Sequence, residues 1–259
     1  MINNFLIVGF GGMGCRHAQS LINSYSDSLV YIYEPNDDIY KQNLNLIGQS
    51  LNKNIKRLSN LNEIKSKVDF CVIATSSGPR FEILKVLLNY EISYFLVEKV
   101  VFQSNNQFEE IQKLIGDKIV YVNFVNRYFR NYIDIKEDIN NQPFTMDIIG
   151  DDFGLGCNAL HYFDLFKYFG ANKISLDKFS LRENINGNKR GSNYKEVLGQ
   201  ISIKTNDGSS LNISSETTRK VGVEIIIKSS KKTHIINEAL SNHIEFGIND
   251  IKTSPLLIQ

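Results

Sequence analysis

The sequence has almost no net charge, few cysteines and no long apolar run, and each deficit argues against a class of protein. Its 29 Lys and Arg residues nearly balance 28 Asp and Glu residues, so electrostatics gives no reason to expect nucleic acid or an anionic membrane as partner. The three cysteines, Cys15, Cys71 and Cys157, are widely spaced and odd in number. They form no zinc pattern or disulfide framework, which favours a reducing, cytoplasmic location and predicts no metal site.

No apolar stretch approaches the roughly 20 residues that a membrane-spanning helix needs. The first residues lack a basic segment, and Phe5–Phe10 is too short for the apolar part of a signal peptide. We therefore expect no membrane as partner. Hydrophobic residues at 42% and charged residues at 22% of 259 residues are typical of a globular protein with one large or two modest domains.

A glycine-rich motif follows the first apolar run directly. Gly9, Gly11 and Gly14 have the spacing G-x-G-x-x-G after Phe5–Val8, and helical spacing begins at Met13. Each glycine has a separate task in dinucleotide binding: a tight turn, close backbone approach to a pyrophosphate, and close helix–strand packing. The positive end of the helix then faces the phosphates. Alone, the motif is a weak indication that needs partners later in the chain.

A second apolar run, Leu29–Tyr33, ends at Glu34. This carboxylate comes about 20 residues after the last motif glycine, where dinucleotide-binding units place the acid that binds the adenosine ribose. The alternative interpretation is a solvated glutamate at a strand end. A carboxylate here would repel the 2′-phosphate of NADP, and the next four residues include no arginine to receive that group. The cofactor we expect is therefore NAD rather than NADP.

The rest of the first half alternates strand and helix patterns. Strands are predicted at Lys56–Leu58, Val68–Ala74, Ser93–Val97 and Lys118–Phe124, and helices at Asn62–Lys67, Pro79–Asn89 and Asn106–Ile115. This alternation predicts an α/β domain over residues 1–124 with a doubly wound parallel sheet. In such sheets ligands bind beyond the carboxyl ends of the strands. The chain places Gly11, Glu34, Thr75, Lys99 and Asn126 at those ends.

Residues 125–259 have a different pattern. A helix is predicted over Asn158–Phe169, after a glycine-containing loop, and strands at Ile174–Leu181, Val197–Lys204, Leu211–Thr217, Val221–Ser229 and Lys232–Ile236. Strands in series predict an α+β second domain with a mainly antiparallel sheet. The polar segment Asn184–Asn193 is interpreted either as a mobile loop or as a substrate cover whose Lys189 and Arg190 meet an anionic group.

His161 and Asp164 lie three residues apart on the predicted helix and are therefore neighbours. A histidine near a helix start is more often structural than catalytic, so these residues alone leave both roles open. His17, His234 and His243 have no comparable surroundings, and we expect them to be surface or core residues.

Together these motifs resemble the Gfo/Idh/MocA family of oxidoreductases, which includes glucose-fructose oxidoreductase, inositol dehydrogenase and sugar-nucleotide dehydrogenases. The resemblance is carried by Gly9–Gly14, Ala74-Thr75, Glu98-Lys99, Asn126-Arg127 and His161-Tyr162-Phe163-Asp164. It implies a Rossmann domain and an NAD(P)-dependent dehydrogenase that acts on a sugar, sugar nucleotide or sugar-like polyol. It also implies a homodimer or higher homo-oligomer.

The resemblance implies two catalytic residues, Lys99 beside the nicotinamide and His161 as proton acceptor. The residues that we expect to bind the cofactor are Gly9, Phe10, Gly11, Gly12, Met13, Gly14, Glu34, Thr75, Ser76, Glu98, Lys99 and Asn126. Those that we expect to bind the substrate are Lys99, Arg127, Asn158, His161 and Asp164.

Three positions depart from the family pattern. Val100 replaces the proline of Glu-Lys-Pro, Arg80 replaces a histidine, and Cys157 replaces an aspartate four residues before His161. Two other functions stay open. A non-catalytic dinucleotide-binding sensor or scaffold is supported by the missing aspartate. A methyltransferase is the other, because a glycine-rich turn followed by a strand-end acid can also bind S-adenosylmethionine.

Overall fold

The computed structural model describes residues 4–48, 54–64, 67–184, 195–217, 222–248 and 250–256. The chain divides into two compact units, Met1–Asn123 and Phe124–Gln259. Most of the polar segment Asn184–Asn193, including Lys189 and Arg190, lies outside the described residues. Of the helices in the described ranges, none combines the length and the apolar character that crossing a bilayer requires.

A parallel sheet forms the centre of the N-terminal unit. Its strands are β1 (Asn4–Val8), β2 (Leu29–Tyr33), β3 (Ile55–Leu58), β4 (Val68–Ile73), β5 (Ile92–Val97) and β6 (Ile119–Val122). In space they follow the order β3-β2-β1-β4-β5-β6, and every neighbouring pair is parallel. The order changes direction between β1 and β4, which is where such sheets open a ligand crevice. The predicted doubly wound sheet is confirmed.

Helices cover both faces of this sheet. They are α1 (Gly12–Ser24), α2 (Asp37–Ile47), α3 (Ser77–Leu87) and α4 (Asn105–Leu114). Alternate residues of β1 enter different apolar clusters: Phe5 and Ile7 pack with α1 and α2, while Leu6 and Val8 pack with α3 and α4. Burial on both faces is why β1 is apolar along most of its length instead of alternating with polar residues.

Two features of this unit differ from the sequence pattern. Helix α2 is not predicted, although Asn36 caps it by accepting the N–H groups of Asp38 and Ile39. The helix predicted over Asn62–Lys67 is, within the described residues, a short 3-10 turn at Leu61–Glu63.

The C-terminal unit is built on a second sheet, in the order β14-β13-β12-β11-β7-β10-β9-β8. Its strands are β7 (Thr145–Asp151), β8 (Ser175–Glu183), β9 (Val197–Lys204), β10 (Ser210–Glu216), β11 (Glu224–Lys228), β12 (Thr233–Asn237), β13 (Asn242–Phe246) and β14 (Ile251–Pro255). The pair β7–β10 is parallel, and the other recorded pairs are antiparallel. The predicted, mainly antiparallel α+β unit is confirmed.

Two helices, α5 (Arg130–Ile139) and α6 (Leu155–Tyr168), pack on this second sheet. Their buried residues, such as Tyr132, Leu165 and Phe166, form one apolar cluster with Met146 and Ile213 of the sheet. Helix α6 is therefore held by its apolar face, and its other face is available for polar side chains.

Candidate functional site

The glycines of the loop between β1 and α1 have different surroundings. Gly9 has a φ of +88°, and a Cβ there would lie 2.8 Å from the backbone nitrogen of Thr75. A Cβ at Gly14 would lie 2.0 Å from the carbonyl oxygen of Gly9, so α1 packs this closely on the loop because Gly14 has no side chain. Gly11 has nothing within 4 Å of the Cβ position, which leaves its backbone open to a ligand.

A cleft of about 650 Å³ lies beside this loop, at the ends of β1, β2 and β4. Its lining includes Gly9, Gly11, Glu34, Thr75 and Ser76, together with apolar side chains of α2 and α3. The Thr75 hydroxyl is buried and has no hydrogen-bond partner among the described residues. The open glycine backbone at the helix N-terminus fits the phosphates of a dinucleotide. The unsatisfied hydroxyl offers a hydrogen bond to a polar group of the ligand, and the apolar walls fit the adenine ring.

The Glu34 carboxylate ties the end of β2 to the glycine loop. Its Oε2 accepts the N–H of Phe10 at 2.9 Å, and its Oε1 accepts the N–H of Asn36 at 2.9 Å. The residue is buried but lines the cleft. Each carboxylate oxygen can accept more than one hydrogen bond, so Glu34 can hold the loop and still accept a ribose hydroxyl.

Arg57 reaches the same strand end from β3. It donates to the carbonyl oxygen of Glu34 at 3.0 Å and to the Asp37 carboxylate at 2.5 Å, and it stacks over Tyr40. Its hydrogen bond and positive charge lower the pKa of Asp37. The sequence motif does not reveal this cation, because it lies 23 residues beyond Glu34.

Lys99 lies just after β5, next to the buried residue Glu98. The Glu98 carboxylate accepts a hydrogen bond from Asn123 at 2.7 Å and lies 2.9 Å from Nε2 of His17. Burial opposes the ionisation of Glu98, but these two bonds and nearby positive charge lower its pKa overall. The Lys99–Val100 peptide bond is cis. Glu98, which we expected at the cofactor, thus has its carboxylate engaged with His17 and Asn123.

In the C-terminal unit, the expected substrate-binding residues lie on α6 and on the 3-10 turn Val125–Tyr128. Arg127 forms a two-bond ion pair with Asp164, in which Nε lies 2.9 Å from Oδ2. The ring of His161 meets Phe124 edge to face, with centroids 6.0 Å apart, and Asn158 donates to the Phe153 carbonyl at 2.6 Å. The structure therefore pairs Arg127 of the 3-10 turn with Asp164 of α6, the helix that also carries His161.

A carboxylate that no sequence motif indicates lies at the N-terminus of α6. Oε1 of the buried Glu196 accepts the N–H of Gly156 at 2.6 Å. A Cβ at Gly156 would lie 2.8 Å from this oxygen, and one at Gly154 would lie 3.3 Å from Oε2. The two glycines therefore let the carboxylate approach the helix end closely. The partners are 40 positions apart in the chain, so the sequence contains no local signal of this contact.

His234 and His243 form a buried pair, with Nδ1 of His234 3.1 Å from Nε2 of His243. His234, Asp138 and Glu245 lie close enough to hold a metal ion. However, Nζ of Lys232 lies 2.8 Å from Oδ1 of Asp138 and 3.0 Å from Oε1 of Glu245. The ammonium group already places a positive charge between the two carboxylates.

Sequence comparison identifies one family. The profile GFO_IDH_MocA, described as "Oxidoreductase family, NAD-binding Rossmann fold", matches residues 3–124. No curated protein matches the chain at a significant level.

Solved structures resemble the chain over nearly its whole length at low sequence identity. UDP-N-acetylglucosamine 3-dehydrogenase from Acidithiobacillus ferrooxidans has a TM-score of 0.79 and 12% identity, covering 100% of this chain and 85% of that chain. A mutant 3-ketoreductase from Actinomadura kijaniata, in complex with TDP-benzene and NADP, has a TM-score of 0.76, 12% identity and coverages of 100% and 85%. A super-repressor mutant of Gal80p from Saccharomyces cerevisiae has a TM-score of 0.74, 17% identity and coverages of 99% and 80%.

At these identities the structural similarity shows the fold alone, and the similarity to a family is limited to residues 3–124. Residues 3–124, just under half of the chain, are thus similar to the NAD-binding Rossmann domain of the Gfo/Idh/MocA oxidoreductases.

Proposed function

We propose that the protein is an NAD-dependent dehydrogenase that oxidises a secondary alcohol of a sugar, sugar nucleotide or sugar-like polyol. The observation that carries the proposal is the cleft at the ends of β1, β2 and β4, where the open backbone of Gly11, the Glu34 carboxylate and the Thr75 hydroxyl come together. Two of the similar structures support a nucleotide-linked substrate. The dehydrogenase is named for a nucleotide sugar, and the ketoreductase was solved with a nucleotide derivative.

In this proposal, residues 1–124 bind the dinucleotide and residues 125–259 bind the substrate and mediate oligomerisation. The loop Gly9–Gly14, including Phe10, Gly12 and Met13, binds the pyrophosphate, and Glu34 binds the adenosine ribose. Thr75, Ser76, Glu98 and Asn126 complete the cofactor site. We infer a cytoplasmic homo-oligomer that binds neither nucleic acid nor membrane.

The chemistry requires a proton acceptor and a group that stabilises negative charge on the reacting oxygen. His161 accepts the proton of the substrate hydroxyl as general base. Lys99 donates a hydrogen bond to the same oxygen while the carbon–oxygen double bond forms. Arg127, Asn158 and Asp164 orient the sugar. The bound dinucleotide supplies the hydride acceptor.

The charges around the cleft favour NAD over NADP. Glu34 and Glu82 both line the cleft, and their carboxylates would repel a 2′-phosphate. Arg57 is the cation beside Glu34, but its guanidinium is paired with Asp37. These contacts support the preference for NAD that Glu34 predicts.

Ligand binding tests the first part of the proposal. We expect NAD to raise the Tm of the protein, because a ligand that binds the native state stabilises it. We expect NADP to bind at least about tenfold more weakly, which corresponds to about 1.4 kcal/mol of binding free energy. S-adenosylmethionine should have no effect. Preferred binding of NADP would overturn the cofactor assignment, and stabilisation by S-adenosylmethionine alone would favour a methyltransferase.

Turnover on a panel of sugars, nucleotide sugars and polyols tests the chemistry. His161→Ala should lower kcat by about 10²–10⁴-fold, the usual contribution of a general base, while the Kd for NAD stays near the wild-type value. Lys99→Ala should be similarly damaging. Lys167→Ala is the matched control, because Lys167 is an exposed residue of the same helix. Full activity of His161→Ala would remove His161 from the catalytic role.

A non-catalytic dinucleotide-binding regulator is the second candidate. It is favoured by Cys157, which stands where many family members have an aspartate, and by the similarity to Gal80p, a protein whose solved form is a super-repressor mutant. This candidate predicts NAD binding without turnover of any panel substrate.

A further inference from the structure

Arg80 is a buried cation at the ends of two strands of the N-terminal sheet. It lies in the first turns of α3, and the whole residue is 2% exposed. Its guanidinium donates to the carbonyl oxygens of Thr75, Glu98 and Val100. Thr75 lies just after β4, and Glu98 and Val100 lie just after β5, so one side chain joins the ends of two neighbouring strands.

A buried arginine is costly unless its charge and donors are satisfied. Burial lowers the pKa of Arg80 to about 10, partly opposed by the negative charge of Glu98, so the group stays charged at neutral pH. The three carbonyl groups lie beyond the ends of β4 and β5, where the hydrogen bonds between the strands no longer provide N–H donors for them. The planar guanidinium can donate to several acceptors at once, whereas a histidine offers at most two donors.

The two residues that flank Lys99 are both held by this side chain. Arg80 binds the carbonyl of Glu98 before Lys99 and the carbonyl of Val100 after it. On the other side, His17 and Asn123 hold the Glu98 carboxylate. The backbone at Lys99 is therefore connected to α1, α3, β4 and the end of β6.

We propose that Arg80 is a positioning residue, which orients Lys99 by fixing the backbone on both sides of it against the end of β4. The proposal rests on the role of Lys99 in the proposed function. A misplacement of about 1 Å can cost about 10²-fold in rate, so loss of the guanidinium should lower turnover although Arg80 contacts neither reactant. If Arg80 served stability alone, its loss would instead destabilise the whole N-terminal unit evenly.

Hydrogen exchange of the full-length protein tests the positioning without a substrate. The variants are Arg80→Gln and the conservative Arg80→Lys, with Lys85→Gln as control because Lys85 lies on the same helix with a partly exposed side chain paired to Glu110. We expect amides of residues 96–102 to exchange about tenfold faster in Arg80→Gln, because charge-assisted hydrogen bonds are lost. Arg80→Lys should be intermediate, and Lys85→Gln should match wild type.

Peptides from β1 separate a local effect from a general one. Faster exchange in residues 96–102 and in the segment between Thr75 and Arg80, with β1 unchanged, supports the proposal, as does faster exchange in residues 96–102 alone. Either no change in residues 96–102 or an equal change in β1 overturns it. If Arg80→Gln does not fold, Arg80→Lys is judged by the same comparison.

Kinetics on a panel substrate adds the catalytic consequence. Arg80→Gln should lower kcat by about 10²-fold with the Kd for NAD within a few-fold of wild type, and Arg80→Lys should recover part of the loss. An unchanged kcat in a folded Arg80→Gln would overturn the positioning role. If the wild-type protein turns over no panel substrate, the proposed function fails, while the exchange experiment still decides whether Arg80 holds the segment around Lys99.

Discussion

At the scale of single residues, Gly11 and Gly14 are three positions apart but serve different purposes. Gly14 lies against the carbonyl of Gly9, and Gly11 faces open space. A motif match treats both as parts of one pattern. The structure separates a glycine required for packing from a glycine that leaves room for a ligand, and substitutions can distinguish the two.

Gly14→Ala should lower the free energy of unfolding by about 1–3 kcal/mol, because the new methyl group would overlap the Gly9 carbonyl. Gly11→Ala should change stability by less than about 0.5 kcal/mol and weaken NAD binding at least about tenfold. Chemical denaturation and calorimetric titration measure the two effects. Gly12→Ala is the control for stability, since nothing lies within 4 Å of its Cβ position. Wild-type affinity in Gly11→Ala would show that the pyrophosphate does not approach this loop.

Prediction from sequence succeeds where partners lie close along the chain. The glycine spacing and Glu34 could be read from the first 34 residues, because a strand–helix–strand unit has nearly fixed dimensions. Arg57 and Glu196 could not be read in this way. They lie 23 and 40 residues from their partners Glu34 and Gly156, and the tertiary fold alone brings these groups together.

At the scale of elements, α6 carries His161 and Asp164 but has no capping side chain of its own. Its N-cap residue is Gly154, with a φ of +79°. The carboxylate of Glu196 supplies the missing acceptor from the residue before β9. An anion at this position also complements the positive end of the helix.

Glu196→Ala should lower the free energy of unfolding by about 0.5–2 kcal/mol, as loss of a helix cap usually does. The matched control is Glu183→Ala in β8, where an exposed carboxylate pairs with Lys195 at 3.3 Å and should contribute less than about 1 kcal/mol. Urea denaturation compares the two variants. Equal effects would show that Glu196 does not anchor α6.

The elements of the two units differ in how plainly the sequence predicts them. The strands of the N-terminal sheet are largely apolar because both faces are buried. Strand β7 alternates buried and half-buried residues with an aspartate and a glycine inside it, so its pattern does not indicate a central strand. Helix α5 is also not predicted, although Tyr132, Ile135 and Ile139 are buried at helical spacing.

At the scale of the whole molecule, the described residues form two sheets, each with its own apolar clusters. Both units also contain buried polar side chains, and those of the C-terminal unit include the His234–His243 pair. Burial and the neighbouring His243 lower the pKa of His234 to about 4, with Asp138 and Glu245 partly opposing, and burial also lowers the pKa of His243. Both rings are therefore neutral at pH 7.

The stability of the protein should fall as the pH is lowered from about 6.5 towards 4. In this window His234 and His243 take up protons more readily in the unfolded chain than in the folded protein, so acid favours unfolding. Above pH 6.5 this contribution is fully present. Urea denaturation at pH 7 and pH 5 measures the loss, and His234→Gln should reduce the difference. The same pH dependence in wild type and His234→Gln would show that another group is responsible.

Lys232 has a consequence for how the C-terminal unit depends on its surroundings. A metal ion between Asp138 and Glu245 would exchange with the solvent and would be lost to a chelator. The ammonium of Lys232 is covalently attached to the turn between β11 and β12. Its local concentration does not change with dilution or dialysis. Lys232 thus acts as a counterion that belongs to the same chain as the two carboxylates. The charge balance of this cluster therefore does not depend on the metal content of the surroundings.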